Sequence, residues 1–135
     1  MKDGMQLEQD QVVSVWVGTF PSEKAFADYL AEDPESLNKD DAALNDFAGE
    51  FGFDWYDNDL QDAHFPKSEP QPLEELLDYI SYGGSFIPDV LRTAEASGIK
   101  EANCFICLYD FEYPTKMLPL KSKMEFLGAF DYKRQ

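Results

Sequence analysis

Two cysteines, one histidine and a run of aspartates are the residues of this sequence whose types and spacing could do chemistry. Cys104-Phe-Ile-Cys107 has the C-x-x-C spelling of a dithiol redox pair. Such pairs hold the first thiol at a helix N-terminus, where its pKa falls. Here the pair lies inside Asn103 to Phe111, an almost continuous apolar run with a strand pattern. Positions three apart on a strand point to opposite faces, so the two sulfurs should be separate, buried structural thiols. His64 is the only histidine. A nucleophilic triad or zinc site built on it needs Cys, Ser or Asp partners that no motif announces. Between Asp62 and Phe65 it reads as a surface or edge side chain. Gly83-Gly84 lacks the spacing of a phosphate-binding loop or dinucleotide fold.

Asp54, Asp57, Asp59 and Asp62 fall within nine residues, close enough to raise a calcium site. A helix–loop–helix calcium loop needs alternating acids, glycine at its sixth position and glutamate at its twelfth. Counted from Asp57, the third position fits with Asp59, but Gln61 is fifth, Asp62 stands where glycine belongs and Ser68 is twelfth. The loop fails at its geometrically demanding positions. An irregular calcium site, or a metal-assisted hydrolase using Asp54, Asp57, Asp59 and His64, stays open as an alternative.

The aspartates also belong to a larger charge pattern. From Asp28 to Asp62 twelve acids stand against one base, Lys39, a local charge of -11 within a total of -16. Lys116 to Gln135 holds five bases and two acids, a local +3. Charge polarised in this way suits electrostatic steering of a partner. Phe51, Phe53, Trp55 and Tyr56 are threaded through the acidic stretch. Trp and Tyr are frequent binding hot spots, and surrounding charge raises association rate. Phe51 and Phe53 read as core, whereas Trp55 and Tyr56 fit either core or interface. The candidate partner-binding set is therefore Asp46, Glu50, Asp54, Trp55, Tyr56, Asp57, Asp59 and Asp62, with no catalytic residue and no metal ligand assigned.

The elements that must position these residues follow from periodicity. Gln11 to Gly18 alternates, with Val13, Val15 and Val17 on one face and Trp16 on the other, as a strand does. Pro21 or Ser22 opens a helix whose Phe26, Tyr29 and Leu30 form an apolar stripe, and Glu32-Asp33-Pro34 ends it. Asp40 or Asp41 could cap a second helix through Phe51, closed by Gly52. Phe53 to Tyr56 reads as a short strand or extended segment, and His64 and Phe65 as a second short strand. Pro72 starts a third helix through Ile80. A fourth, capped by Ser85 with Pro88 in its first turn, ends at Gly98. Asn103 to Phe111 is a central strand covered on both faces, and Met124 to Tyr132 is the last strand, expected beside it and antiparallel. The order β-α-α-β-α-α-β-β is α+β: a small, mostly antiparallel sheet packed against about four helices.

At 135 residues the chain is the size of one domain, spanning 1–135 with a polar, loosely ordered stretch over 1–10. Hydrophobic residues make up 44% of it, too many for a disordered polymer. The negative field disfavours nucleic acid and anionic membrane as partners and favours a basic protein. No apolar stretch is long enough to span a membrane. The acidic N-terminal residues are unlike a signal peptide, and two free thiols suit a reducing compartment, so a cytoplasmic location is expected.

The order of several short motifs resembles a known family. Val13-Ser-Val-Trp-Val-Gly18, Phe20 and Ser22-Glu23-x-x-Phe26-x-x-Tyr29 open the pattern, and Phe51-Gly-Phe-Asp-Trp-Tyr-Asp57 continues it. Ser85-Phe86-Ile87 and Gly98-Ile-Lys-Glu-Ala-Asn103 complete it. Over about Val12 to Tyr113 the chain resembles the immunity protein 22 group of bacterial polymorphic toxin systems. The resemblance implies a small cytoplasmic α+β protein, made beside a secreted or contact-delivered toxin, that binds the toxin's catalytic domain and protects the producer. It implies neither a cofactor nor a particular toxin, and no family motif singles out contact residues. A non-enzymatic inhibitor of a cationic toxin, such as a nuclease, is the leading expectation; nucleic-acid mimicry is an alternative that shares the acidic face.

Overall fold

The computed structural model describes residues 8–32, 45–53, 56, 58–80, 85–115, 118–119 and 121–132. Strand β1 (Glu8–Gly18) is followed by helices α1 (Glu23–Leu30) and α2 (Asp46–Phe51). Next come a single 3-10 turn (Asn58–Leu60) and strand β2 (Gln61–His64). Strand β3 (Gln71–Pro72) leads directly into helix α3 (Leu73–Leu76), which tightens to 3-10 over Leu77–Tyr79. Helix α4 (Ile87–Ala96), the short β4 (Glu101–Ala102), β5 (Cys104–Phe111) and β6 (Met124–Asp131) complete the order. The domain is α+β, with an antiparallel four-stranded sheet ordered β2-β5-β1-β6 and a small pair β3-β4.

The helix ends have local causes. Ser22 caps α1 by accepting from the Ala25 amide, and Glu23 complements the positive end of the helix. Helix α2 is capped by Asn45, which accepts from the Ala48 amide at 2.8 Å, rather than by Asp40 or Asp41, which lie outside the described residues. Gly52 closes α2 with φ 84°, a left-handed backbone that costs a residue without Cβ little. Pro72 precedes α3 and Pro88 occupies the first turn of α4, where a missing N–H breaks no helical bond.

Each face of the sheet builds its own core. Val13, Val15 and Val17 of β1 join Phe105, Cys107 and Tyr109 of β5 against α3 and α4. Trp16, Cys104, Ile106 and Leu108 face the other way, against Phe26 and Tyr29 of α1 and Phe47 and Phe51 of α2. The sheet is thus a middle layer between two helical layers. The indole of Trp16 organises the second core: it meets the ring of Phe47 edge-on at 4.9 Å between centroids and that of Phe126 at 5.0 Å.

Ser85 is not the N-cap of helix α4: Phe86 takes that position, and its side chain makes no capping hydrogen bond. Three further expectations change. The last two strands are not neighbours, because β1 lies between β5 and β6 and pairs antiparallel with both. A strand with bulky apolar residues on both faces is best buried at the centre of a sheet, and β1 is such a strand. The second short strand begins at Gln61 rather than at His64, and Phe53 is outside any strand. Finally, β1 starts at Glu8, inside the stretch expected to be loose, while residues 1–7 lie outside the described residues.

One buried amide ties the connections together. Asn103 is fully buried, and its Oδ1 accepts from the Phe20 amide at 3.0 Å. Its Nδ2 donates to the carbonyls of Phe20 and Ser68, each at 2.8 Å. The exit of β1, the loop before β3 and the entry of β5 therefore meet at one side chain. Replacing it by Leu strands the two buried backbone groups of Phe20, each costing about 1–3 kcal/mol when unpaired, and frees the carbonyl of the exposed Ser68 to water. Asn103→Leu should lower unfolding stability by at least about 2 kcal/mol in urea melts, well beyond the effect of a typical surface substitution. A loss below about 0.5 kcal/mol, the surface level, would show that the clamp is dispensable.

Candidate partner-binding surface

The sequence-predicted site residues separate into four environments. Asp46 and Glu50 are one helical turn apart on α2. Asp46 is exposed. Glu50 is half-buried, and its Oε1 accepts from the Tyr29 hydroxyl at 2.5 Å and from the Lys123 amide at 2.9 Å. The Lys123 ammonium lies 5.8 Å from the Tyr29 ring centroid, a cation–π pair beside that carboxylate. Glu50 thereby joins α1, α2 and the start of β6. Burial and the Glu50 hydrogen bond, followed by the charges of Glu50 and Asp46, push the Tyr29 phenol strongly upward, so it serves as a permanent donor.

Tyr56 is buried, only 2% exposed, which matches the core alternative of the two that its sequence position allows. Asn45 Nδ2 donates to its hydroxyl at 2.8 Å, and the hydroxyl donates to Gln61 Oε1 at 2.5 Å. The same Asn45 amide donates to the Leu30 carbonyl at 3.0 Å. Tyr56 is thus held between the α2 cap and β2, with its ring packed edge-on against Phe47. Nothing in its sequence position distinguishes this from an interface role, because Asp57 follows it directly and Trp55 precedes it.

Asp59 is exposed in the 3-10 turn. Asp62 sits on β2 opposite Cys107, on the sheet face covered by α3 and α4. Its side chain is 11% exposed and its Oδ1 lies 2.8 Å from His64 Nε2. Alternation along β2 therefore carries Asp62 away from Asp46 and Glu50, which belong to the opposite helical layer. His64 occupies the edge strand, as expected, with its ring against Phe105 and Tyr79. Asp54, Trp55 and Asp57 lie outside the described residues. Among the described residues, no three His, Cys, Asp or Glu side chains gather as a metal-binding group.

The thiols behave as their spacing predicts. Cys104 faces the α1–α2 core and Cys107 the α3–α4 core, so the sheet separates them. Burial pushes the Cys104 thiol up to about 12 and raises that of Cys107 well above its ordinary range, with the nearby Asp62 charge adding to the latter. Neither is poised as a nucleophile. Sequence reasoning missed Asn45, although an Asn immediately before the Phe47–Ala48–Phe51 stripe is a capping signal. It also missed the clamp at Asn103, for which strand patterning carries no signal.

An antiparallel sheet between two helical layers defines the general class as an α+β domain. A family model described as Immunity protein 22 matches residues 13–133, nearly the whole chain, and the protein belongs to that family. No curated protein and no solved structure matches it. Among the described residues, no helix is long and apolar enough to cross a membrane.

The raised acids predict the alkaline limit of the fold. An unfolded thiol releases its proton near pH 9 and a phenol near pH 10, whereas folded Cys104, Tyr56 and Tyr113 hold theirs to about 12. Their contribution is complete below pH 9 and is lost as pH rises through 12. Thermal midpoints should be level from pH 7 to 9 and then fall continuously. In Cys104→Ala the decline between pH 9 and 10 should be shallower; an unchanged slope would exclude Cys104 as a source.

Proposed function

We propose that this protein neutralises a cognate bacterial toxin by binding the toxin's catalytic domain, without catalysis of its own and without a cofactor. The family match over residues 13–133 carries this reading. The net charge of -16 supports a basic target surface, and a nuclease domain, which presents Lys and Arg to phosphate, is the toxin class that fits best. The site of action we infer is the bacterial cytoplasm.

The exposed Asp46 and Asp59 are the described residues best placed to steer such a partner; Asp54, Trp55 and Asp57 belong to the proposed face by sequence alone and lie outside the described residues. Glu50 supports that face from beneath through its bonds to Tyr29 and Lys123. Tyr56 and Asp62 contribute through packing and the β2 edge, not through contact.

The direct test is co-expression with the toxin domain encoded beside the gene. Cells carrying both proteins should grow, cells carrying the toxin alone should not, and the pair should co-purify. Failure of the purified proteins to associate would falsify the proposal. With a complex in hand, Asp46→Asn combined with Asp59→Asn should slow association several-fold at low salt and flatten its salt dependence, leaving dissociation nearly unchanged. Both side chains are exposed, so the thermal midpoint should fall by no more than about a few degrees, the loss of a first-turn acid from α2. A separate titration with calcium, magnesium or zinc should leave that midpoint in place; a rise of several degrees at micromolar metal would favour the hydrolase or calcium reading of the aspartates.

A further inference from the structure

An open hollow of about 320 Å³ lies at the β6 edge of the sheet, on the face that carries α1 and α2. Its lining is Glu112, Tyr113, Pro114, Thr115, Phe126 and Ala129. The Phe126 and Tyr113 rings stand 5.0 Å apart at 74°, with Phe126 half-buried and Tyr113 buried beneath the hollow. The Tyr113 hydroxyl donates to the Phe51 carbonyl at 2.7 Å, which ties this wall to the last residue of α2. Helices α1 and α2 fill the neighbouring core with Phe26, Tyr29, Phe47 and Phe51, yet none of these side chains lines the hollow.

Resting on the toxin-binding reading above, we propose that this hollow receives a cationic side chain of the toxin, arginine by preference. At the lower end of the size range of ligand pockets, about 300–1,000 Å³, it suits one side chain rather than a cofactor. Aromatic walls attract a cation through their negative ring faces, and an arginine adds planar stacking. Glu112 is exposed at the lining and supplies an acceptor for a guanidinium fork. Asp131, two residues beyond Ala129 on the same strand face, is also exposed and extends the negative field. The protein already pairs a cation with an aromatic ring: the Lys123 ammonium sits 5.8 Å from the Tyr29 ring centroid, while the Lys123 backbone amide donates to Glu50 Oε1. The hollow brings the half-buried Phe126 ring and the exposed Glu112 carboxylate into one lining, with no cation among its described residues. Its tie to Phe51 sets it beside the end of α2, where the proposed steering face begins.

The test uses the full-length protein and the toxin domain encoded beside its gene. Glu112→Gln keeps the shape and removes the charge, whereas Ala129→Met fills the hollow. Both variants should melt like the wild type, and each should bind at least about tenfold more weakly, chiefly through faster dissociation. One Arg→Ala or Lys→Ala change on the toxin should then show strong coupling to Glu112→Gln in a double-mutant cycle. If the wild type binds and neither substitution matters, the hollow is not part of the interface and the inference falls while the immunity reading stands. If Ala129→Met weakens binding but Glu112→Gln does not, the occupant is apolar and the cationic assignment is wrong. If the wild type itself fails to bind, the immunity reading fails first, before the hollow is reached.

Discussion

The pairing of β1 with β5 is the constraint on which everything else depends. Register from Val13 opposite Tyr109 to Gly18 opposite Cys104 sends successive residues to two different cores. A slip of one residue would exchange Trp16 with the valines and face the indole toward α3 and α4. Burial of both faces makes such a slip costly everywhere along the ladder. It also explains why β6 pairs with β1: its Phe126 stands opposite Trp16, and its Phe130 opposite Val13, each on the face that already holds its partner.

Around that ladder, a few polar side chains settle how the connections run. Asn103 joins the end of β1 to the start of β5, and Asn45 joins the end of α1 to the cap of α2 and to Tyr56. Ser14 does similar work at the opposite end, accepting from the Tyr113 amide and donating to the Phe111 carbonyl. There the backbone is less regular: Asp110 takes a φ of 56°, and its carboxylate accepts from the Gln11 amide and the Tyr132 hydroxyl. Buried polar groups of this kind add modest net stability when satisfied but are costly to leave unpaired, so they specify one arrangement more than they strengthen it.

The acidic character is divided by the same architecture. Asp46 and Asp59 remain exposed, Glu50 is recruited as an acceptor between elements, and Asp62 is turned to the far side of the sheet beside His64. A run that is continuous in sequence is therefore not one surface. The exposed ion pairs Lys24–Asp28 and Arg92–Asp89 neutralise little of the total and contribute little to stability. The excess negative charge is left to act at a distance, which favours encounter with a basic partner over tight packing by itself.

Local chemistry determined much of this protein by itself. The alternation of Val13 to Val17, the stripe of Phe26 and Tyr29, the prolines before α3 and within α4, and Gly52 after α2 each act through backbone or side-chain geometry within a few residues. Those features were legible in the sequence, as were the separation of Cys104 from Cys107 and the family likeness. Tertiary structure alone decided that β1 lies between β5 and β6, because strand order depends on which faces must be covered at once. It alone placed Tyr56 inside, since an aromatic beside acids fits a core or an interface equally well until Asn45 and Gln61 arrive from elsewhere to satisfy its hydroxyl. It alone brought Glu112, Tyr113, Phe126 and Ala129 around one hollow, for these residues come from different elements and no spacing along the chain records their meeting.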